Sequence, residues 1–150
     1  MRIDELELEQ EDSDIEWFAV DGEGYVLHVS SGGGVLPESV ASSQETLLQL
    51  HQYFLALPDT ASASLVQVEA NAEKSGRNYQ NAVRYARRGL FSFDKTLLNK
   101  HLDPKYHLVV RPANPLTIKD IPEPISTLLL RTRLPESVRE KTRVDISAIS

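Results

Sequence analysis

The chain has 150 residues, no cysteine and a formal net charge of −6 at pH 7. This length predicts one domain with a hydrophobic core, and the lack of cysteine excludes disulfides and thiolate metal sites. The apolar runs are far shorter than the roughly 20 residues that a membrane span requires. The acidic start lacks the cationic and then apolar pattern of a secretory signal, so we expect a cytoplasmic protein.

Negative charge is concentrated at the beginning of the chain. The first 24 residues hold ten carboxylates and a single cation, Arg2. The carboxylates are Asp4, Glu5, Glu7, Glu9, Glu11, Asp12, Asp14, Glu16, Asp21 and Glu23. We expect residues 1–14 to be a separate acidic segment, either disordered or folded as a short edge strand over residues 3–9. Residues 15–150 are expected to form a single globular domain, and a pI near 5.2 disfavours general binding of nucleic acid.

The clearest local pattern is a β-hairpin. Residues 15–20 are rich in aromatic and branched side chains and predict a strand. Asp21-Gly22 predicts a tight turn, because glycine accepts the positive φ that such turns require. Residues 25–30 then form the return strand.

Two helices are predicted in the middle of the chain. Residues 44–57 place Leu47, Leu50 and Phe54 on one face, with Ser42 or Ser43 as the N-cap. A second helix over residues 73–88 ends at Gly89. The remaining predictions are a helical turn at residue 37, a strand or helix extension over 64–68, strands over 90–94, 106–111 and 142–146, and a short helix over 124–131.

These elements predict an α+β fold. The sheet is expected to be mostly antiparallel, with about four to six strands and two main helices packed on one face. The predicted core residues are Trp17, Ala19, Val26, Leu47, Phe54, Val83, Leu90, Leu108 and Val110.

Recognised catalytic and metal-binding motifs are missing from the sequence. Gly32–Gly34 follows a strand, but no Gly-Lys-Ser/Thr or G-x-G-x-x-G pattern accompanies it, so we interpret it as a turn. None of the four histidines form an i, i+4 pair, and we expect no metal and no cofactor. One alternative stays open, because His28 and His107 both lie in predicted strands: a small ligand or metal site that they form with the Gly32–Gly34 loop.

A group of arginines lies on the second predicted helix. Arg84, Arg87 and Arg88 offer a ridge that could contact RNA or another anion. A solvated helix face is the simpler interpretation, since the last turn of a helix favours cations.

Three stretches carry a resemblance to a known group of proteins. They are DIEWFAVD (residues 14–21) with its glycine turn, ARRGLFSFD (residues 86–94), and YHLVVRP (residues 106–112) running to PLT (residues 115–117). This order resembles small, uncharacterised bacterial proteins in which a W-F-A-x-D-x-x-G hairpin precedes a G-L-[FY]-x-[FY]-D strand and an x-P-x-x-P-L segment. The resemblance covers about residues 14–125. It implies a cytoplasmic immunity protein of a bacterial toxin system, although these strand and turn motifs transfer no individual binding residue.

We therefore predict a non-enzymatic protein-binding module that neutralises one cognate toxin through an acidic surface. Such a surface matches the basic cleft of a nuclease toxin and speeds association. The predicted contacts are Asp12, Asp14, Glu16, Asp21 and Glu23. The alternatives are a ligand- or metal-binding domain or enzyme built on the Gly32–Gly34 loop with His28 and His107, and an RNA binder that uses Arg84, Arg87 and Arg88.

Overall fold

The predicted hairpin forms one side of a five-stranded sheet. In this computed structural model, which describes residues 15–59, 80–97 and 100–149, β1 (Glu16–Val20) pairs antiparallel with β2 (Val26–Ser30). The predictions for residues 1–14 and 64–68, and for the start of the second helix, lie outside the described residues.

The sheet is mixed, with the strand order β1-β2-β3-β4-β5. β3 (Phe91–Lys95) runs parallel to β2, whereas β4 (Lys105–Val110) and β5 (Arg143–Asp145) continue the sheet with antiparallel pairings. This arrangement corrects the prediction of a mostly antiparallel sheet. A parallel pairing requires a long crossover connection, and the chain between β2 and β3 supplies one that contains helices.

Four α-helices are present among the described residues, and only one is long. They are α1 (Glu38–Ala41), α2 (Gln44–Leu55), α3 (Gln80–Ala86) and α4 (Ile125–Leu129). α2 has 12 residues, and the Ser43 side chain accepts a hydrogen bond from the Thr46 amide at its start, as predicted. The prediction of two main helices is corrected to one long helix and three short ones within these residues.

Apolar side chains cover both faces of the sheet. On the face that carries α2, a cluster joins strand residues to the helices: Phe18, Val20, Val26, Leu50, Phe54, Tyr85, Leu90, Ile121 and Leu129. On the opposite face the strands pack against Val40 and the later chain: Trp17, Ala19, Leu27, Val29, Phe91, Phe93, Tyr106, Leu108, Leu134, Val138 and Val144. Of the predicted core, Leu47 and Val83 are only half-buried, and the other seven residues are buried.

The chain after α4 returns to the first strand. The Val20 amide donates to the Thr132 carbonyl at 3.0 Å, and the Leu134 amide donates to the Val20 carbonyl at 2.9 Å. The outer side of β1 is therefore paired where β1 ends, and β5 lies at the other edge of the sheet. No helix in the described ranges is long and apolar enough to span a membrane.

Candidate functional site

A row of polar side chains crosses the helix-covered face of the sheet. His28 on β2 contacts Glu16 on β1 through Nε2–Oε1 at 3.0 Å, and it contacts Ser92 on β3 through Nδ1–Oγ at 3.1 Å. His28 and Ser92 are both 0% exposed. Phe18 pairs with His28 in the register, so Glu16 is the diagonal neighbour of His28 on the same face.

His51 on α2 connects this row to α2 and α3. Its Nε2 lies 2.7 Å from the Glu16 carbonyl oxygen and its Nδ1 lies 2.7 Å from the Tyr85 hydroxyl. Because a carbonyl only accepts, Nε2 carries the proton and Nδ1 accepts from Tyr85. The Tyr85 ring stacks on His28 with centroids 4.2 Å apart. His51 therefore joins α2, α3 and β1 in one hydrogen-bonded unit.

Burial and charge shift the pKa values of this cluster. Burial lowers the pKa of His51 despite its hydrogen bond to Glu16, and burial together with the Glu16 charge raises the pKa of Tyr85. Burial alone would raise the pKa of Glu16, but the hydrogen bond and charge of His28 outweigh it, so the net pKa is lowered. At neutral pH the cluster thus holds an ionised Glu16, a neutral His51 and a neutral Tyr85.

A carboxylate, an imidazole and a hydroxyl in this order are the parts of a nucleophilic triad. Here the arrangement cannot present a nucleophile, because Ser92 has no exposed surface. The Ser92 hydroxyl also lies 3.0 Å from the Ala82 carbonyl on α3, to which it donates. We interpret the network as a structural connection between the sheet and its helices.

The glycine loop contacts Lys95 and His101. A Cβ added at Gly34 would lie 3.1 Å from Cδ of Lys95, which is buried. The imidazole Nδ1 of His101 donates to the Gly33 carbonyl at 2.6 Å. His101 is thus a histidine that contacts this loop, and the sequence did not point to it.

The two histidines of the alternative ligand or metal site lie on different strands of the sheet. His28 pairs with Ser92 and His107 pairs with Asp94, so β3 separates the two histidines. Within the described part of the chain no group of three or more His, Asp or Glu side chains has the arrangement of a metal site. The metal form of this alternative thus finds no cluster among the described residues, and the ligand-binding form, with Gly32–Gly34, His28 and His107, stays a prediction.

The predicted acidic contacts that the structure describes, Glu16, Asp21 and Glu23, differ in their exposure. Asp21 is only 5% exposed, and its carboxylate accepts hydrogen bonds from the amides of Glu23, Tyr25 and Val138 at 2.7–2.9 Å. The Glu16 side chain is 19% exposed and bonds to His28, and Glu23 is exposed. Asp12 and Asp14 lie outside the described residues. Asp21 and Glu16 thus have partners within the fold, and a contact role for the five residues stays a prediction.

Two of the three arginines on the second predicted helix, Arg87 and Arg88, make contacts within the fold. Arg87 Nε lies 2.8 Å from the Asp59 carboxylate. Arg88 Nε donates to the Leu57 carbonyl at 3.1 Å, and its Nη1 donates to the Arg84 carbonyl at 2.9 Å. These side chains hold the chain after α2 against the end of α3, and the RNA-binding alternative stays a prediction.

Two exposed apolar side chains define a different surface. Val35 is 44% exposed and Leu102 is 80% exposed, and the Val35 amide donates to the His101 carbonyl at 3.3 Å. We call Val35, Leu102 and the two loops that carry them, residues 31–35 and 100–103, the apolar loop surface. Ser31 in the first loop exchanges hydrogen bonds with Ile15, at 2.8 and 3.0 Å. The acidic residues 1–14 therefore join the fold beside this surface.

Sequence reasoning missed the pairing of Glu16 with His28, although a usable signal was present. Asp21-Gly22 signalled the hairpin, but the positive φ lies at Gly24 and not at Gly22 as predicted. The register that pairs Val20 with Val26 then places Glu16 diagonal to His28. No comparable signal pointed to Tyr85 or Ser92, because their contacts depend on the crossover between β2 and β3.

Searches against protein-family models, curated proteins and solved structures found no match for this chain. The resemblance to immunity proteins therefore stays a prediction, and the functional argument depends on the described geometry.

Proposed function

We propose that this protein is a non-enzymatic, cytoplasmic immunity protein that binds and neutralises one basic bacterial toxin. The observation that carries the proposal is the apolar loop surface beside the point where residues 1–14 join the fold. Exposed apolar side chains at the centre of an interface supply affinity when water is excluded around them. Neighbouring carboxylates speed the encounter with a basic partner.

The internal use of the polar side chains supports a binding role over a catalytic one. Ser92 and His28 are buried, and the carboxylate of Asp21 is filled by backbone donors. Catalysis requires such groups to reach a substrate. A toxin-binding protein requires only a surface, and Leu102 at 80% exposure is the most exposed large apolar side chain among the described residues.

The structure changes the set of acidic contacts that we propose. Asp12 and Asp14 remain in it, because they immediately precede Ile15, which bonds to Ser31 of the apolar loop surface. Glu23 follows the far end of β1, which is about 13 Å from Glu16 because four steps of about 3.3 Å separate Glu16 from Val20. We expect the first two carboxylates to act together and Glu23 to contribute little.

The test is co-expression with the product of the neighbouring gene that encodes the candidate toxin. We expect this protein to suppress growth inhibition and to form a stoichiometric complex. Leu102→Asp should weaken the complex by about 2 kcal/mol or more, the range of an interface hot spot. The matched control is Leu48→Asp, because Leu48 on α2 is also exposed, at 56%, and lies outside the apolar loop surface.

Two results would contradict the proposal. One is a neighbouring gene product that is harmless on its own and forms no complex. The other is an equal effect of Leu102→Asp and Leu48→Asp on binding. That result would show that the apolar loop surface does not make the contact with the toxin.

A further inference from the structure

A buried lysine lies beneath the apolar loop surface. Lys95 is the last residue of β3 and is only 1% exposed. Its Nζ lies 5.6 Å from the centroid of the Tyr106 ring, within the range of a cation–π contact. An ammonium group is costly to bury, and burial lowers the pKa of Lys95. The contacts of this side chain with the two loops give a reason for its position.

The ammonium group of Lys95 bonds to the second of the two loops. Its Nζ donates to the carbonyl oxygen of Asp103, the residue that directly follows the exposed Leu102. Asp103 is held from its other side as well, because its Oδ1 accepts a hydrogen bond from the Lys105 amide at 2.9 Å. The main chain beside Leu102 is thus fixed to the end of β3.

The stem of the same lysine supports the first loop. A Cβ added at Gly34 would lie 3.1 Å from Cδ and 3.2 Å from Cε of Lys95, and 3.0 Å from the Ser31 carbonyl oxygen. Gly34 directly precedes the exposed Val35, so the main chain there passes over the lysine stem with no side chain between them. This close approach accounts for a glycine at position 34.

We propose that Lys95 is a positioning residue, which fixes Val35 and Leu102 relative to each other from beneath. The part of this inference that concerns the toxin rests on the proposed function: a preformed surface loses less conformational entropy on binding than one that must first be ordered. The loops also meet at the surface, where the ring of the exposed His101 bonds to the Gly33 carbonyl. Lys95 differs from His101 because it contacts both loops while shielded from water, where a hydrogen bond is electrostatically stronger.

Amide hydrogen exchange of the full chain tests the positioning role without the toxin. Lys95→Met keeps an unbranched stem but removes the ammonium group, so the bond to Asp103 is lost. The Val35 amide donates to the His101 carbonyl, and we expect it to exchange about tenfold faster in this variant, the equivalent of one hydrogen bond to a charged group. The Leu108 amide, which bonds within the sheet region to Thr142, should not exchange faster.

Global stability separates positioning from a general contribution to the fold. Replacement of buried charges by apolar side chains of similar size is often neutral or stabilising, so Lys95→Met should not lower the midpoint of urea denaturation. The matched control is Lys119→Met, which removes the same charge from an exposed position. Lys119 follows Ile118, whose amide bonds to Gly24 in the hairpin turn. This control should change neither the midpoint nor the exchange of the Val35 amide.

Two further variants test the contacts of each loop. Gly34→Ala places a methyl group against the Lys95 stem, and it should make the Asp103 amide of the other loop exchange several-fold faster. This variant decides if Lys95→Met fails to fold. His101→Ala removes the surface bond and should accelerate the Val35 amide less than Lys95→Met does.

Toxin binding completes the test. Lys95→Met should weaken the complex about tenfold, although Lys95 itself is buried. Unchanged binding of this variant, where Leu102→Asp does weaken the complex, would overturn the inference. Failure of the proposed function has a different signature, because Leu102→Asp then leaves binding intact while the exchange results for Lys95→Met still hold.

Three exchange results would also overturn the positioning role of Lys95. They are an unchanged rate for the Val35 amide in Lys95→Met, an equal acceleration of Val35 and Leu108 together with a lower urea midpoint, and a larger effect of His101→Ala than of Lys95→Met. If Lys95→Met does not fold, an unchanged rate for the Asp103 amide in Gly34→Ala has the same consequence.

Discussion

At the residue scale, Asp21 shows how a charged side chain can serve the fold instead of the surface. Its Oδ1 accepts from the amides of Glu23 and Tyr25 inside the hairpin turn, and its Oδ2 accepts from the distant amide of Val138 at 2.7 Å. A carboxylate that accepts several backbone N–H groups is strongly held in its site. The sequence did not reveal this role, because Asp21 is one of ten carboxylates in the first 24 residues.

Replacing Asp21 tests that role directly. Asp21→Ala leaves three amides without their acceptor, and we expect it to lower the free energy of unfolding by about 2–4 kcal/mol. Glu23→Ala, two residues away and exposed, should change it by less than about 0.5 kcal/mol. Urea denaturation of both variants provides the measurement, and similar losses in the two would show that Asp21 is an ordinary surface carboxylate.

A second prediction at this scale concerns acid. The unfolded chain protonates His51 near its ordinary pKa of 6.5, while the folded chain resists because burial lowers that pKa. Stability is therefore full above about pH 6.5 and falls as the pH decreases below it. Glu16, whose folded pKa is also lowered, adds a further loss below its ordinary 4.5.

The variant His51→Gln isolates the first part of this loss. Glutamine keeps a donor for the Glu16 carbonyl but does not titrate, so we expect a flatter stability profile between pH 6.5 and 5. Chemical denaturation at several pH values gives the profile. An unchanged slope in His51→Gln would mean that another group causes the acid sensitivity.

At the scale of elements, local signals predicted the elements but not all of their pairings. Asp21-Gly22 predicted the hairpin, and Ser43 predicted the start of α2, because each acts through neighbours in the chain. The parallel pairing of β2 with β3 was not predictable. Leu27, Val29 and Phe93 are buried in strands covered on both faces, and such strands have no alternation that encodes direction.

The junction between α3 and β3 is an element-scale feature that should be sensitive to substitution. Gly89 has φ +100° there, and a Cβ at this position would lie 2.8 Å from the Cβ and amide nitrogen of Leu116. Gly89→Ala combines backbone strain with this overlap, so we expect a loss of about 2–4 kcal/mol in stability. Thermal unfolding measures it, and a melting temperature within about 2 °C of the parent protein would refute the account.

At the scale of the whole molecule, the candidate surface could be predicted only in part. The concentration of carboxylates before Ile15 was visible in the sequence. The sequence did not reveal that the loops of Val35 and Leu102 would meet, because the bond from the Val35 amide to the His101 carbonyl joins two loops that are remote in the chain. We expect Asp14 but not Glu23 to contact the toxin, because the length of β1 separates these two residues.

The separation of Asp12 and Asp14 from Glu23 predicts how each affects the rate of association with the toxin. Asp12→Asn with Asp14→Asn should slow association several-fold at low salt, and the difference should shrink as salt screens the charges. Glu23→Gln should leave the rate nearly unchanged. Stopped-flow measurements at two salt concentrations provide the comparison, and a larger effect from Glu23→Gln would place the toxin at the hairpin turn instead.

The bonds that tie the first hairpin to the chain after α4 also constrain the order of folding. Val20, Gly22 and Asp21 find their partners in Thr132, Glu136 and Val138, so the earliest strand pair is completed only when a remote segment arrives. Closing so large a loop costs entropy before any contact repays it, and chains rich in such contacts fold slowly. During synthesis the hairpin would leave the ribosome well before its stabilising partners, with the outer side of β1 open to pairing with other chains.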